Sequence, residues 1–283
     1  MEHITSIAQM QDRSDEVRSS GRRIAVVPTM GSLHEGHLSL VNLAQRYSEV
    51  VIMTIFVNPK QFGPNEDFAA YPRNLERDRQ LAASVGTSIL FTPPTEEMYS
   101  SNYLSYVEVE KMTTVLEGKF RPTHFRGVTT VVTKLFNITK PHIAVFGQKD
   151  AQQTAVIQQM VKDLDFDIEV IVAPIVRESD GLAMSSRNIY LSSTERQDAI
   201  ILYQSLQFGE RLIGSGERNG HTIISKMKEL VASKRSAQVD YISIADHHTL
   251  QDVSMITAGS EVLLSLAVRI GKTRLIDNVR VKV

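Results

Sequence analysis

Short apolar runs punctuate the first half of the chain, at Ile24 to Val27, Val50 to Val57, Ser88 to Phe91, Ile143 to Phe146 and Ile168 to Val172. Each is rich in β-branched residues and flanked by turn residues, the pattern of strands buried on both faces. Helical periods lie between them. Leu40, Leu43 and Ala44 share one face after the first long run, and Leu75, Leu81 and Ala82 do so after the next. Val128, Val131, Val132, Leu135 and Phe136 form an i, i+3, i+4, i+7, i+8 stripe, and Val156, Met160 and Leu164 another. Strands alternating with helices predict an α/β fold, a parallel sheet covered on both faces.

The pattern changes after Ala173. Ser193 to Ile213 reads as one helix with Ser193 as its N-cap and Gly214 as its stop, and Gly220 to Lys234 as a second. Val239 to Ile244, Glu261 to Ile270 and Thr273 to Val283 follow, the last two with strand alternation around Gly271-Lys272, a hairpin signal. This half reads as α+β and antiparallel. The expected boundary lies near residue 175, giving a first domain over 1–175 and a smaller one over 176–283. A length of 283 residues agrees with two domains at about 150 residues each.

Composition narrows the chemistry. Lys plus Arg total 31 against 32 for Asp plus Glu, a net charge of -1, which argues against a nucleic-acid partner held by bulk charge. The chain has no cysteine, so thiolate nucleophiles, Cys-ligated zinc, iron–sulfur clusters and disulfides are excluded. The start, Met-Glu-His-Ile-Thr-Ser-Ile-Ala, is no secretory signal, and no apolar run reaches the roughly 18 residues of a membrane span. A cytoplasmic location without membrane attachment is the default expectation.

Four segments hold candidate chemistry. The first, Val27 to His37, follows the first long run and opens a helix, where free amides and the positive dipole end suit a phosphate. Gly31 and Gly36 open the backbone to a ligand. His34 and His37, three apart, would share a face and balance charge developing on phosphorus. The same segment also reads as a turn with two solvated histidines. It is neither a Walker A motif nor His-Glu-x-x-His. The second, Asn58-Pro59-Lys60-Gln61-Phe62-Gly63, offers polar groups at a strand end, yet alone it reads first as a surface loop. The third, Phe146-Gly147-Gln148-Lys149-Asp150, again ends a strand. Asp150 there could be an N-cap and Lys149 a solvated charge, while Gln152 and Gln153 could face the same cleft. The fourth, Met184-Ser185-Ser186-Arg187-Asn188, sets hydroxyls beside an arginine fork and suits phosphate oxygens, or else is a polar linker. Together they suggest an enzyme of nucleoside triphosphates without a P-loop.

Residues 27–37, 56–63, 147–153 and 184–188 resemble, in order and in register, the motifs of the pantoate–β-alanine ligase family, the pantothenate synthetases. The likeness runs from about residue 20 onward. It implies a Rossmann-like nucleotide-binding domain with a smaller α+β lid domain. It implies an ATP-dependent ligase that condenses (R)-pantoate with β-alanine through a pantoyl adenylate, releasing pyrophosphate and AMP. Carried over by motif, Met30, Gly31, Ser32, Leu33, His34, Glu35, Gly36 and His37 form the first ATP segment. His34 and His37 contact phosphates, and His37 is the proton donor. Gly147, Gln148, Lys149 and Asp150 line the nucleotide, with Lys149 on phosphate oxygens, and Val176 meets adenine through its backbone. Met184, Ser185, Ser186 and Arg187 close over the triphosphate, the last three as donors. Gln61 and Gln153, with Asn58, hold the substrates. Mg2+ is expected on the phosphates, with Asp78 as the nearest protein acid, and a homodimer is expected. The family often carries Glu where Gln148 stands and an aromatic where Ala151 stands. Two rivals stay open: a related nucleotidyltransferase that keeps the nucleotide in its product, and a non-catalytic nucleotide sensor.

Overall fold

The β-branched runs pair side by side as one parallel sheet. In a computed structural model describing residues 1–64 and 66–283, the first elements are β1 (Glu2–Ile4), α1 (Ile7–Ser19), β2 (Ile24–Thr29), α2 (Glu35–Ala44), β3 (Val50–Ile55), α3 (Leu75–Ser84), β4 (Ile89–Phe91) and α4 (Thr95–Met98). Next come α5 (Glu117–Phe120), α6 (His124–Thr139), β5 (Ile143–Gly147), α7 (Ala151–Asp163) and β6 (Glu169–Ala173). The last are α8 (Ser193–Asp198), α9 (Ile201–Gly214), α10 (Gly220–Ala232), β7 (Ala237–Asp246), β8 (Glu261–Ile270) and β9 (Thr273–Lys282). Among the described residues no helix is long and apolar enough to cross a membrane.

The chain divides into two units. The first comprises Met1–Thr114, Gly118–Gly147 and Val156–Pro174; the second comprises Val115–Glu117, Gln148–Ala155 and Ile175–Val283. The first unit holds six parallel strands in the order β1-β4-β3-β2-β5-β6. Ile24 lies opposite Val50 and Ala25 opposite Ile143, so β2 sits between β3 and β5. The strand order reverses at β2 and β5, and ligands of open α/β sheets bind at the carboxyl ends beside such a reversal. One face of the sheet packs Ala25, Val27, Val51, Met53, Leu90 and Val145 against Leu40, Val41 and Ala44 of α2 and Ala82 of α3. The α6 stripe is buried too: Val128, Val131, Val132, Leu135 and Phe136 are all core residues. The edge strand β1, three residues pairing with Ile89 to Phe91, is absent from the sequence reading because no period can show over so short a run.

The second unit has an antiparallel sheet, β7-β8-β9, with Ile270 opposite Thr273 across the Gly271-Lys272 turn. Leu202, Leu206 and Ile213 of α9, with Ile223, Met227 and Val231 of α10, bury against Ile242, Leu264, Leu266 and Val268. The single helix expected over Ser193 to Ile213 is two, α8 and α9, broken at Ala199 and Ile200. Its cap is Ser192, whose hydroxyl accepts from the Glu195 amide while Glu195 accepts from the Ser192 amide.

A bulge between Val239 and Tyr241 makes Asp240 an extra residue in β7. Neighbouring side chains of a regular strand point to opposite faces, and the bulge relaxes that rule. Asp240 and Tyr241 therefore serve one buried cluster. Arg274 of β9 donates to both carboxylate oxygens of Glu117, at 2.5 and 2.9 Å, and to Asp240 at 2.6 Å. The Tyr241 hydroxyl donates to Glu117 at 3.0 Å. Burial and the nearby Glu117 carboxylate raise the Tyr241 pKa well above the phenol range, so it stays a donor.

Candidate active site

The turn after β2 is built around a carboxylate. The Thr29 hydroxyl donates to the Thr54 carbonyl at 2.7 Å and accepts from the Gly31 amide at 3.2 Å. Gly31 has φ +81°, and a Cβ there would stand 3.0 Å from both Asp78 Oδ2 and Ile55 Cγ2. Ser32 is also left-handed, at φ 50°. This pair of conformations brings the Ser32 and Leu33 amides to the two oxygens of Asp78, each at 2.8 Å. Asp78, on α3, is 1% exposed. The Ser32 and Leu33 amides are directed to Asp78, and the Leu33 side chain belongs to the sheet core, so these two residues shape the turn.

His34 then caps α2 in an extended conformation, and His37 is the third helical residue. The His37 Nδ1 accepts the His34 amide at 3.3 Å, and the two rings lie 4.1 Å apart. A nitrogen that accepts a backbone N–H cannot carry the ring proton, so neutral His37 holds its proton on Nε2. Both histidines are half-buried and Glu35 is exposed.

The second motif is held from behind. Asn58 is 1% exposed, and its side-chain amide makes four bonds. Nδ2 donates to Gln61 Oε1 and the Gly127 carbonyl, both at 3.0 Å. Oδ1 accepts from the Tyr99 hydroxyl at 2.9 Å and the Lys60 amide at 3.3 Å. That satisfies every donor and acceptor position of the side chain. Asn58 therefore orients Gln61 and is not the substrate contact expected of it. Gln61 Nε2 meets Met30 Sδ at 3.2 Å, which joins the first two motifs.

His124, Arg121, Gly127 and Tyr99 complete this support and were missed by sequence reasoning. His124 Nδ1 lies 2.9 Å from the Gln61 carbonyl, and its Nε2 lies 3.2 Å from Arg121 Nη1. A carbonyl only accepts and a guanidinium only donates, so His124 is neutral with its proton on Nδ1. Arg121 also forks onto Glu66 at 2.7 and 2.6 Å. Desolvation pushes the Glu66 pKa up, but the Arg121 hydrogen bonds and charge bring it below the ordinary value. A Cβ on Gly127 would strike the Lys60 carbonyl and stand 2.6 Å from the Gln61 amide nitrogen. Arg121 and His124, three apart at the opening of α6, are the local signal that could have found this layer.

In the second unit, residues Gln148–Asp150 form one 3-10 turn leading into α7. Lys149 Nζ lies 3.7 Å from Asp150. The Gln148 side chain is held within the protein: Nε2 donates to Asn278 at 2.8 Å. Gln152 is buried and bridges the 115–117 segment, accepting from the Glu117 amide at 2.9 Å and donating to the Val115 carbonyl at 2.8 Å. It therefore does not share a cleft with Gln153, the next residue around the helix, which is half-buried.

The fourth motif leaves a tight hairpin. The Glu178 carbonyl accepts from the Gly181 amide at 2.9 Å, and the Val176 carbonyl accepts from the Met184 amide at 3.0 Å. Val176's carbonyl thus closes the hairpin. Ser185 caps the turn Ser186–Tyr190, its hydroxyl oxygen accepting from the Arg187 amide at 3.3 Å. Ser186 and Arg187 are half-buried.

The described residues build no magnesium cage from protein side chains alone. Among the described residues no group of three or more His, Asp or Glu side chains is placed to hold a metal ion. Magnesium sites use one or two carboxylates plus phosphates and water, and each oxygen of the candidate Asp78 already accepts one amide of the turn. Asp78→Asn puts an amide NH2 against a backbone N–H, so it is expected to cost about 1–3 kcal/mol of stability and to raise the KM for ATP. The magnesium concentration for half-maximal rate should not move; a severalfold rise would make Asp78 a ligand.

Comparison with known proteins now fits this arrangement. The family model described as pantoate-beta-alanine ligase matches residues 2–280. The pantothenate synthetase of Chloroherpeton thalassium is 52% identical over 283 residues, and that of Acetivibrio thermocellus 53%, each covering 100% of both chains. The crystal structure of pantothenate synthetase from Thermus thermophilus superposes with a TM-score of 0.93 at 40% identity, covering 100% of both chains. That of pantoate-beta-alanine ligase from Francisella tularensis, complexed with beta-gamma ATP and beta-alanine, gives 0.79 at 36% identity, covering 99% of this chain and 97% of that one. A likeness that runs the whole length, over motifs whose local geometry is built for them, makes the chain a member of the pantoate–β-alanine ligase family, the pantothenate synthetases.

Proposed function

We propose that this ligase joins (R)-pantoate to β-alanine in two half-reactions. A pantoate carboxylate oxygen attacks the α-phosphorus of ATP, and pyrophosphate leaves with the electron pair of the broken P–O bond. The β-alanine nitrogen then attacks the acyl carbon of pantoyl adenylate, loses a proton, and AMP leaves. A carboxylate is a poor acyl donor and an acyl phosphate a good one, so the protein's task is positioning and charge stabilisation. No enzyme nucleophile is required, in keeping with a chain that has no cysteine.

The observation that carries this reading is the pinned His37 ring. Its Nδ1 is tied to the His34 amide, so Nε2 presents the proton that a phosphate oxygen needs. In this reading Met30, Gly31, His34, Glu35, Gly36 and His37 frame the first ATP segment. Lys149, Ser185, Ser186 and Arg187 donate to phosphate oxygens. Gly147, Asp150, Val176 and Met184 line the nucleotide, while Gln61 sits between pantoate and β-alanine and Gln153 holds pantoate. Magnesium enters with the nucleotide, as part of the substrate. The ATP and beta-alanine in the Francisella complex support the substrate assignment. A cytoplasmic homodimer is part of the same reading, by family resemblance, and sedimentation tests the dimer.

The deciding experiment measures AMP release with (R)-pantoate, β-alanine and ATP, each omitted in turn. AMP should appear only when all three are present. Exchange of labelled pyrophosphate into ATP should require pantoate and not β-alanine. A nucleotide retained in the product would give the reaction to a nucleotidyltransferase, and ATP binding without turnover would leave a sensor.

A further inference from the structure

Asn278 of β9 is 3% exposed, in a strand that lies outside the four sequence motifs. Its side chain makes three bonds to one short stretch. Nδ2 donates to the Gln148 carbonyl at 3.0 Å and to the Lys149 carbonyl at 2.9 Å, and Oδ1 accepts from Gln148 Nε2 at 2.8 Å. Both amide protons are used on two successive carbonyls. This fixes the peptide planes on either side of the Lys149 Cα, and with them the direction in which the Lys149 stem leaves the backbone. A trans peptide sets its N–H opposite its C=O. The amides of Lys149 and Asp150 are therefore turned away from Asn278, and the two carbonyl dipoles keep their negative ends on its side.

Asp277, beside it, holds the other segment. Its carboxylate takes Arg177 at 2.6 and 3.0 Å, and it also accepts the Asn278 amide at 2.8 Å. Arg177 in turn donates to the Gly181 carbonyl at 3.0 Å and lies 4.1 Å from the Tyr203 ring. Arg177 begins the hairpin that delivers Met184 to Arg187. Two adjacent residues of β9 thus fix the bases of both cationic segments of the second unit.

We propose that Asn278 is a positioning residue for the adenylation half-reaction, acting through Lys149 by holding the Gln148 and Lys149 carbonyls. The pairing also answers why glutamine serves at 148: its amide N–H completes the exchange with Asn278, which a carboxylate at 148 could not do. The proposal rests on the reading that Lys149 works on phosphate oxygens.

The test is a double-mutant cycle on pantoate-dependent pyrophosphate exchange, with Asn278→Ala, Lys149→Ala and both. Misplacing a charged group by about an ångström costs on the order of a hundredfold, so Asn278→Ala should lower exchange by about ten- to a hundredfold. In the Lys149→Ala background it should have almost no further effect. Aminolysis of supplied pantoyl adenylate by β-alanine should keep the wild-type rate in Asn278→Ala. Equal fractional losses with and without Lys149, or an equal fall in aminolysis, would make Asn278 merely structural and overturn the proposal. Undiminished exchange in Lys149→Ala would instead overturn the underlying reading of Lys149. If Asn278→Ala does not fold, Asn278→Asp keeps the size and removes both donors, and the same cycle applies.

Discussion

Replacing His37 by alanine is expected to lower kcat by about 10²–10³-fold, the range for losing a positioned proton donor or an oxyanion-type donor. Pyrophosphate exchange should fall with it, because the loss lies in adenylation. The fold should survive. The His34 amide loses its acceptor, a 3.3 Å bond at a half-buried cap, and losing a cap costs about 0.5–2 kcal/mol. For a protein of this size that lowers the melting temperature by roughly 2–4 °C per kcal/mol. A folded His37→Ala enzyme with wild-type kcat would remove His37 from the mechanism. A large KM effect for ATP with kcat unchanged would make it a ground-state binding group only.

The largest expected effect on stability is at Arg274. Its guanidinium holds Glu117 through two bonds and Asp240 through a third. Burial alone would lower the Arg274 pKa, but the hydrogen bonds and charge of Glu117 more than reverse this. Arg274→Met leaves Glu117 poorly solvated and without its cation, and leaves Asp240 with Arg269 alone, at 3.3 Å. Breaking a buried pair from one side costs about 3–5 kcal/mol, which urea unfolding would read as a lower midpoint at unchanged slope. Adding Glu117→Gln should recover part of the loss, since a neutral amide does not need the cation. A loss under about 1 kcal/mol for Arg274→Met would place the cluster among solvated surface pairs.

Much of the frame is legible in the sequence because it rests on short-range signals. The β-branched runs around residues 24, 50, 89, 143 and 169 become parallel strands, and Gly271-Lys272 turns between β8 and β9. The motif positions at strand ends follow from the same pattern. What escapes is the layer behind them. Asn58 looks like a ligand contact until Tyr99, Lys60, Gln61 and Gly127 take all four of its positions. Asp78 looks like a metal ligand in the sequence, which does not show the two amides that the left-handed turn delivers to it. Asn278 and Gln148 sit 130 positions apart, and Gln61 and His124 sit 63 apart. Such pairs leave no periodicity and no motif, since only the folded chain brings them together. The split between α8 and α9 is the opposite case. There the apolar period continues through Ala199 and Ile200 and hides a local break.

The bonds from β9 to Glu117, Gln148 and Lys149 also have a consequence in time. Glu117 and Arg274 are separated by 157 residues. At about 5–20 residues per second of synthesis, that separation is a wait of about 8–30 s. Late in that wait the growing chain carries His34, His37, Lys149 and Arg187, but the strand that holds the Lys149 backbone is still to come. A ribosome-bound chain lacking residues 274–278 would hold every motif of the ligase and still lack the support for its lysine. Competence for the first chemical step would therefore arrive abruptly, with a strand that contributes no reacting group of its own.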